Sequence, residues 1–238
     1  MQLKLVAGAV ALGLGSSLAS ALELSLTPAV TSDYDFRGIS QSARDPAIQL
    51  SFDVATNSGW GFYIWGSQID FGPGSDTDTE IDYSLFYGGG SDETAKWEVG
   101  AVYYTYLSES DFNYPEFYVG IAKPLSDKFS LEGKLWFSND YVAADENAFY
   151  AEANASYSLP NNWALNFHVG HSWGDYWDAA NDGGYTDFAL GIGYTYKNFT
   201  FDLKYVDTTD LPDPGGDVFA TESKVVLTVS ASFPIYER

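Results

Sequence analysis

The sequence predicts an all-β protein, an antiparallel up-and-down transmembrane β-barrel of about 12 strands that follows an N-terminal signal peptide. Three observations point there. Apolar and polar side chains alternate with a period of two in nearly every segment. Short and long connections alternate along the chain. Aromatic residues reach 17%, with 18 Tyr, 16 Phe and 7 Trp, and many fall near predicted strand ends.

The first residues read as an export signal. Lys4 supplies a positive start, residues 5–18 are apolar, and Ala19-Ser20-Ala21 is a small-x-small cleavage site, placing the cut after Ala21. The run is broken by glycine and falls short of the roughly 20 apolar residues a spanning helix needs. Residues 22–238 then form a single barrel domain. Composition excludes other classes. With 11 Lys+Arg against 33 Asp+Glu the formal charge is -22, the reverse of a nucleic-acid footprint. Zero Cys excludes disulfides and thiolate metal sites. At 45% hydrophobic, the chain is too apolar for a disordered acidic segment. A soluble halophilic protein would share the acidity, but would not need aromatics concentrated on one parity of nearly every strand.

The strands follow in order. In 24–36, Leu24, Leu26, Val30, Tyr34 and Phe36 oppose Ser25, Thr27, Thr31, Asp33 and Asp35. In 48–54, Ile48, Leu50, Phe52 and Val54 oppose Gln49, Ser51 and Asp53. The segment 60–71 carries aromatics on both parities, which suggests a bulge near Gly66. In 80–87, Ile81, Tyr83, Leu85 and Tyr87 oppose Asp82 and Ser84, and 97–107 holds Glu98 among small and aromatic residues. The segments 114–124, 129–141, 149–159, 163–173, 185–196, 199–207 and 223–233 repeat the alternation. Tight turns at 57–59, 126–128, 160–162 and 197–198 alternate with longer links at 38–46, 72–79, 108–113, 142–147, 174–184 and 208–221. One turn, 88–96, is long for its place, and its Gly88-Gly89-Gly90 reads as a flexible turn. A barrel with short periplasmic turns and long outer loops makes this pattern; a Greek-key sandwich does not. Trp97, Tyr106, Phe129, Tyr141, Trp163, Trp173, Tyr194, Tyr196 and Phe199 would form the interfacial girdles. The last strand closes at Phe233, with Pro234-Ile235-Tyr236-Glu237-Arg238 beyond it.

The run Ser32-Asp33-Tyr34-Asp35-Phe36-Arg37-Gly38-Ile39-Ser40-Gln41-Ser42, closed by Asp45-Pro46-Ala47-Ile48-Gln49, resembles the opening signature of the TorF family, bacterial outer-membrane barrels described as porins or as conserved hypothetical proteins. The match covers roughly twenty-five residues and loosens in the Tyr-rich strands beyond. The resemblance implies a barrel in the outer membrane and a pore, and it carries no catalytic residues.

The polar parity should face the lumen. It collects Asp33, Asp35, Arg37, Asp53, Asp82, Glu98, Glu116, Glu132, Lys134, Glu152, Asn154, Asn166, His168, Asp187, Asp202 and Lys204, with Tyr118, Trp136 and Tyr150 as lumen aromatics. Three cations among them cannot neutralise the carboxylates, so the reading is a wet, narrow, anionic channel rather than a filled salt-bridge network. His168 and His171 face opposite ways on one strand and cannot share a metal. Ser172, His168 and Asn166 lie on one strand without a nucleophile motif, so no catalytic residue is assigned. The acidic stretches 76–80 and 210–217 lack the calcium-loop pattern and read as solvated. No cofactor is called for. The expected function is passive diffusion of small polar or cationic solutes, not an enzyme. Its partners would be outer-membrane lipids and the barrel-assembly machinery. Alternatives are a substrate-selective channel, for instance for nucleosides, and a plugged barrel that presents acidic surface loops.

Overall fold

The structure, a computed structural model, describes residues 22–237; the signal peptide expected over residues 1–21 lies outside them. Twelve antiparallel strands close into a barrel. In chain order they are β1 (Leu22–Thr31), β4 (Ala47–Thr56), β5 (Trp60–Gln68), β6 (Thr79–Ser91), β7 (Ala95–Tyr106), β8 (Tyr114–Pro124), β9 (Phe129–Ser138), β10 (Ala148–Ser158), β11 (Trp163–Trp173), β12 (Tyr185–Tyr196), β13 (Phe199–Thr209) and β14 (Lys224–Ala231), which β15 (Phe233–Glu237) prolongs. Between β1 and β4 lies a two-stranded hairpin, β2 (Asp35–Phe36) and β3 (Ile39–Ser40).

Each strand pairs with its sequence neighbours, and β1 closes the ring against β14 and β15. Along β1 the register runs Val30↔Val229 near one end and Leu26↔Phe233 near the other, with a shift between Leu24 and Ser25. The C-terminal residues therefore continue the last strand past Phe233, and Pro234, which has no N–H to donate, sits at that irregularity.

The alternation places the apolar parity outward. Ile48, Leu50, Leu85, Phe117, Val119, Ile121, Leu190, Leu203 and Val225 are exposed, whereas Asp82, Glu98, Glu116, Lys134 and Asp187 are buried inside. An apolar outer belt around a polar interior is the inverse of a soluble protein and the pattern of a barrel solvated by lipid. The barrel end that holds Leu22 and Glu237 carries the short turns; the opposite end carries the long links.

Four expectations are corrected. Strand β5 pairs without interruption with β4 and β6, so there is no bulge at Gly66; Tyr63 and Trp65 point inward while Trp60 and Phe62 point outward. Both parities can be aromatic because the inner face here packs against the hairpin, Trp65 lying 5.2 Å from Tyr34. Gly88-Gly89-Gly90 is strand, paired with Lys96–Glu98, and the connecting turn is short. The Trp97 ring lies over Gly89, where added side-chain bulk would crowd it. Tyr106 and Tyr141 turn inward instead of joining a girdle: Tyr106 shares the inward parity of its strand partner Glu80 and packs on Phe71, and Tyr141, in a turn beyond the end of β9, packs on Tyr114. The loop after β11 holds a short helix, α1 (Asp175–Asn181), whose Trp177 folds over Tyr185 as part of an aromatic roof.

Candidate functional site: the lumen and its inserted hairpin

The largest departure concerns the chain after Thr31. It does not extend β1 to Phe36, and residues 38–46 do not stand away from the barrel. Residues 33–42 fold into the lumen, and the segment leaves it through the exposed Asp45 and Pro46. The local cause is a set of polar contacts that a continuing strand could not make. Thr31 Oγ1 donates to the Asp33 carbonyl, Ser40 and Ser42 donate to Asp33 Oδ1 at 2.6 and 3.1 Å, and the Tyr34 amide donates to Ser42 Oγ. The hairpin closes on Arg37-Gly38, both at positive φ (52° and 84°), a two-residue turn of the type I′ kind. Glycine at the second position permits a close approach, since a side chain there would meet Thr208 of β13 and Asp187 of β12.

Arg37 thereby crosses the lumen. Its Nη1 and Nη2 donate to Glu116 Oε1 and Oε2 at 2.9 and 2.7 Å. Its guanidinium lies 4.2 Å from the Tyr150 ring centre, 4.7 Å from Phe36 and 5.6 Å from Trp136. Tyr104 donates to Glu116 Oε2, and Tyr185 donates to the Arg37 carbonyl, each at 2.9 Å. The planar fork of arginine matches a carboxylate at two points, and its face suits an aromatic ring.

Asp33 and Asp35 occupy the lumen as expected, but on the insert rather than on a strand. Their counter-ion is Lys224, 3.2 Å from Asp33 and 2.8 Å from Asp35, with Lys204 3.7 Å from Asp35. Lys224 was missed, although it shares the inward parity of Val226 and Thr228. Glu80 was missed in the same way. It shares the parity of Asp82, accepts from Tyr34 at 2.9 Å and is buried with Asp82.

The other expected residues line the wall. Lys134 reaches Glu98 at 3.1 Å and Glu132 at 3.8 Å. Its ammonium stands 5.1 Å from the Tyr118 ring and 5.5 Å from Trp136. Glu152 accepts from Trp136 Nε1 and Asn154. His168 contacts Asp187 at 2.6 Å through Nε2 and Asn154 at 2.7 Å through Nδ1, and Tyr150 donates to Asp187. The lumen aromatics Tyr118, Trp136 and Tyr150 all lie inside and buried, each beside a cation.

Two storeys result. Toward the long loops, the insert and the rings of Tyr104, Tyr114 and Tyr185 bury Glu116 and Asp187 to 1% and 2% exposure. The wet lumen expected from the sequence does not extend through this storey, because the insert brings Arg37 to the excess carboxylates and fills the space. Toward the short turns, Asp53, Glu132, Asn154, Asn166, Asp202 and Lys204 are only partly buried. Asp53 accepts from Ser51 and Asn166 accepts from Ser156, but among the described residues no cation lies within ion-pair distance of Asp53 or Asp202. This end is an acidic vestibule.

Three solved barrels are similar in fold. The NanC porin aligns with a TM-score of 0.61 at 12% identity, covering 88% of this chain and 98% of its own. The KdgM porin, solved in complex with disordered oligogalacturonate, gives 0.59 at 10% identity, covering 89% and 99%. An outer-membrane channel from Pseudomonas putida F1 gives 0.53 at 10% identity, covering 95% and 100%. Comparison with curated proteins finds no match. A family model described as a bacterial protein of unknown function matches residues 16–233, and the chain, a closed porin-like barrel with a hairpin in its lumen, belongs to that family, Gcw_chp.

Proposed function

We propose that this protein is an outer-membrane channel for small cations, narrowed by its own hairpin, with outer-membrane lipids around its apolar belt and the barrel-assembly machinery as the route of insertion. The observation that carries the reading is the short-turn end of the lumen: Asp53, Glu132 and Asp202 are only partly buried there, and among the described residues only Glu132 has a cation, Lys134, within ion-pair distance, with Lys204 two positions from Asp202. In a low-dielectric funnel such charges concentrate cations and exclude anions. The porin likeness of the fold and the resemblance of residues 32–49 to the TorF family support a channel role. The oligogalacturonate of the KdgM porin is a polyanion; a wall this acidic would repel one, which favours cations here.

The packed storey favours a second reading, a plugged barrel that serves as a surface scaffold. Planar-bilayer recording of the refolded protein separates the two. Discrete steps with a cation-selective reversal potential across a KCl gradient support the channel. Silence in the wild type and in a variant with a loosened insert supports the scaffold.

A further inference from the structure

We propose that the seat filled by Arg37 is a binding site for guanidinium and other small organic cations, and that Arg37 occupies it as a tethered stand-in for the solute. The proposal names the solute class of the channel and rests on that reading only for transport; binding itself does not depend on it.

The seat belongs to the wall. Glu116 comes from β8, Trp136 from β9, Tyr150 from β10 and Tyr104 from β7; of the groups around the guanidinium, only Phe36 arrives with the insert. Lift the hairpin away and the wall retains a carboxylate with two oxygens aimed inward, steadied by the Tyr104 hydroxyl, between the faces of two aromatic rings. A carboxylate beside desolvated aromatic faces is a cation cage. The wall is shaped to keep it: the Tyr150 ring lies flat across Gly170, where any side chain would collide with it.

A second cage adjoins it and shares one ring with it. The Lys134 ammonium rests between Glu98, Tyr118 and Trp136, and Trp136 borders both cations. Glu132, at the vestibule, lies next along the path at 3.8 Å from Lys134. Carboxylate and aromatic face thus recur together at two neighbouring cations, Arg37 and Lys134, whereas Lys204 and Lys224 are held by carboxylates alone. The chemistry favours a flat, weakly hydrated cation such as a guanidinium over a compact, strongly hydrated one.

The test empties the seat. Arg37→Asn keeps a residue suited to the left-handed turn while removing the guanidinium. The thermal midpoint of the folded band on gels is followed with methylguanidinium chloride, and with sodium chloride or urea at equal concentration. Methylguanidinium should raise the midpoint saturably, by roughly 3–6 °C at ten times its dissociation constant, and sodium and urea should not. The rise should vanish in Arg37→Asn/Glu116→Gln. Should Arg37→Asn refold poorly, the same comparison is read as refolding yield, which methylguanidinium should restore. Equal responses to all three additives, or a response that survives loss of Glu116, overturns the proposal. A silent bilayer with a saturable response defeats the channel reading and leaves the site standing; conductance without the response does the opposite.

Discussion

Arg37 and Glu116 are 79 residues apart and meet through two parallel hydrogen bonds inside the barrel, each side chain almost wholly buried. Arg37 also holds a φ of 52°, which costs a non-glycine residue roughly 1–2 kcal/mol. The pair therefore stabilises a conformation the backbone disfavours. Glu116→Gln strands a buried guanidinium and should lower stability by about 3 kcal/mol or more. Adding Arg37→Asn should recover part of that loss, since Asn tolerates the turn and leaves no unpaired charge. Urea midpoints of the folded band measure both. A Glu116→Gln midpoint equal to wild type would mean the pair does not hold the hairpin.

Lys224 is the second anchor of the insert, through Asp33 and Asp35. In Lys224→Met, Asp35 keeps only the more distant Lys204, and Asp33 keeps its two serine hydroxyls but no cation within ion-pair distance. The hairpin should open more often, and trypsin should cut after Arg37, whose side chain is otherwise 7% exposed. The cleavage rate should rise at least about tenfold, the equivalent of ~1.4 kcal/mol in the opening equilibrium. An unchanged rate would assign the anchoring to the aromatic contacts instead.

Leu190 on β12 is half exposed on the apolar belt. Leu190→Arg should impair assembly, since arginine near the bilayer midplane costs roughly 2–4 kcal/mol. Asp187, three positions earlier, faces inward but is buried against His168 and Tyr150, so its neutralisation would disturb the packed storey. Asp202 faces the vestibule and is partly exposed, so Asp202→Asn should assemble as wild type. Folded yield in liposomes reads both, and equal effects would contradict the assigned faces.

These contrasts show what was legible in the sequence. Strand parity is a local property with one strong driving force, so Glu116, Lys134 and Asp187 could be placed inward from alternation alone. The same rule, applied to Lys224 and Glu80, would have found them. The fate of residues 32–46 could not be read that way. Tyr34 and Phe36 continue the alternation of β1, and what turns them inward is a set of partners far along the chain: Glu80, Trp65 and Tyr104. Long-range pairing of an insert with a wall leaves no periodic trace. The Arg37-Gly38 turn was the one local sign, and it is weak because Arg seldom opens such a turn.

Asp213 gives a pH prediction outside the membrane-spanning strands. Its carboxylate accepts from the Gly215 amide at 2.6 Å and from the Thr221 and Glu222 amides at 3.2 Å. These donors, Gly215 foremost, hold its pKa below the ordinary value. A depressed pKa means the pinning is complete above the unfolded value, about 3.9, and is lost as pH falls through the lower folded one. The group is solvent-exposed, so the effect is local rather than global. Hydrogen-exchange protection of those three amides should fall on acidification in wild type and be low already at neutral pH in Asp213→Asn. Protection that ignores pH would leave the loop held by other contacts.

Selectivity tests which carboxylates matter. Glu116 is neutralised by Arg37, and Asp33 and Asp35 by Lys224 together with Lys204, so they contribute little to the field a permeating ion meets. Asp53, Glu132 and Asp202 are the exposed acids of the vestibule, and of these only Glu132 has a cation within ion-pair distance among the described residues. Neutralising the three together as Asp53→Asn, Glu132→Gln and Asp202→Asn should move the reversal potential across a KCl gradient toward zero. Because the vestibule is open to water, salt should weaken the wild-type preference as well, most of it gone near 1 M, where the Debye length is about 3 Å. Loosening the insert with Lys224→Met should raise conductance while leaving the sign of selectivity unchanged, since the vestibule stays intact. Anion selectivity in the wild type, or a reversal potential untouched by the triple variant, would remove the vestibule from the mechanism and leave the hairpin as the only control on passage.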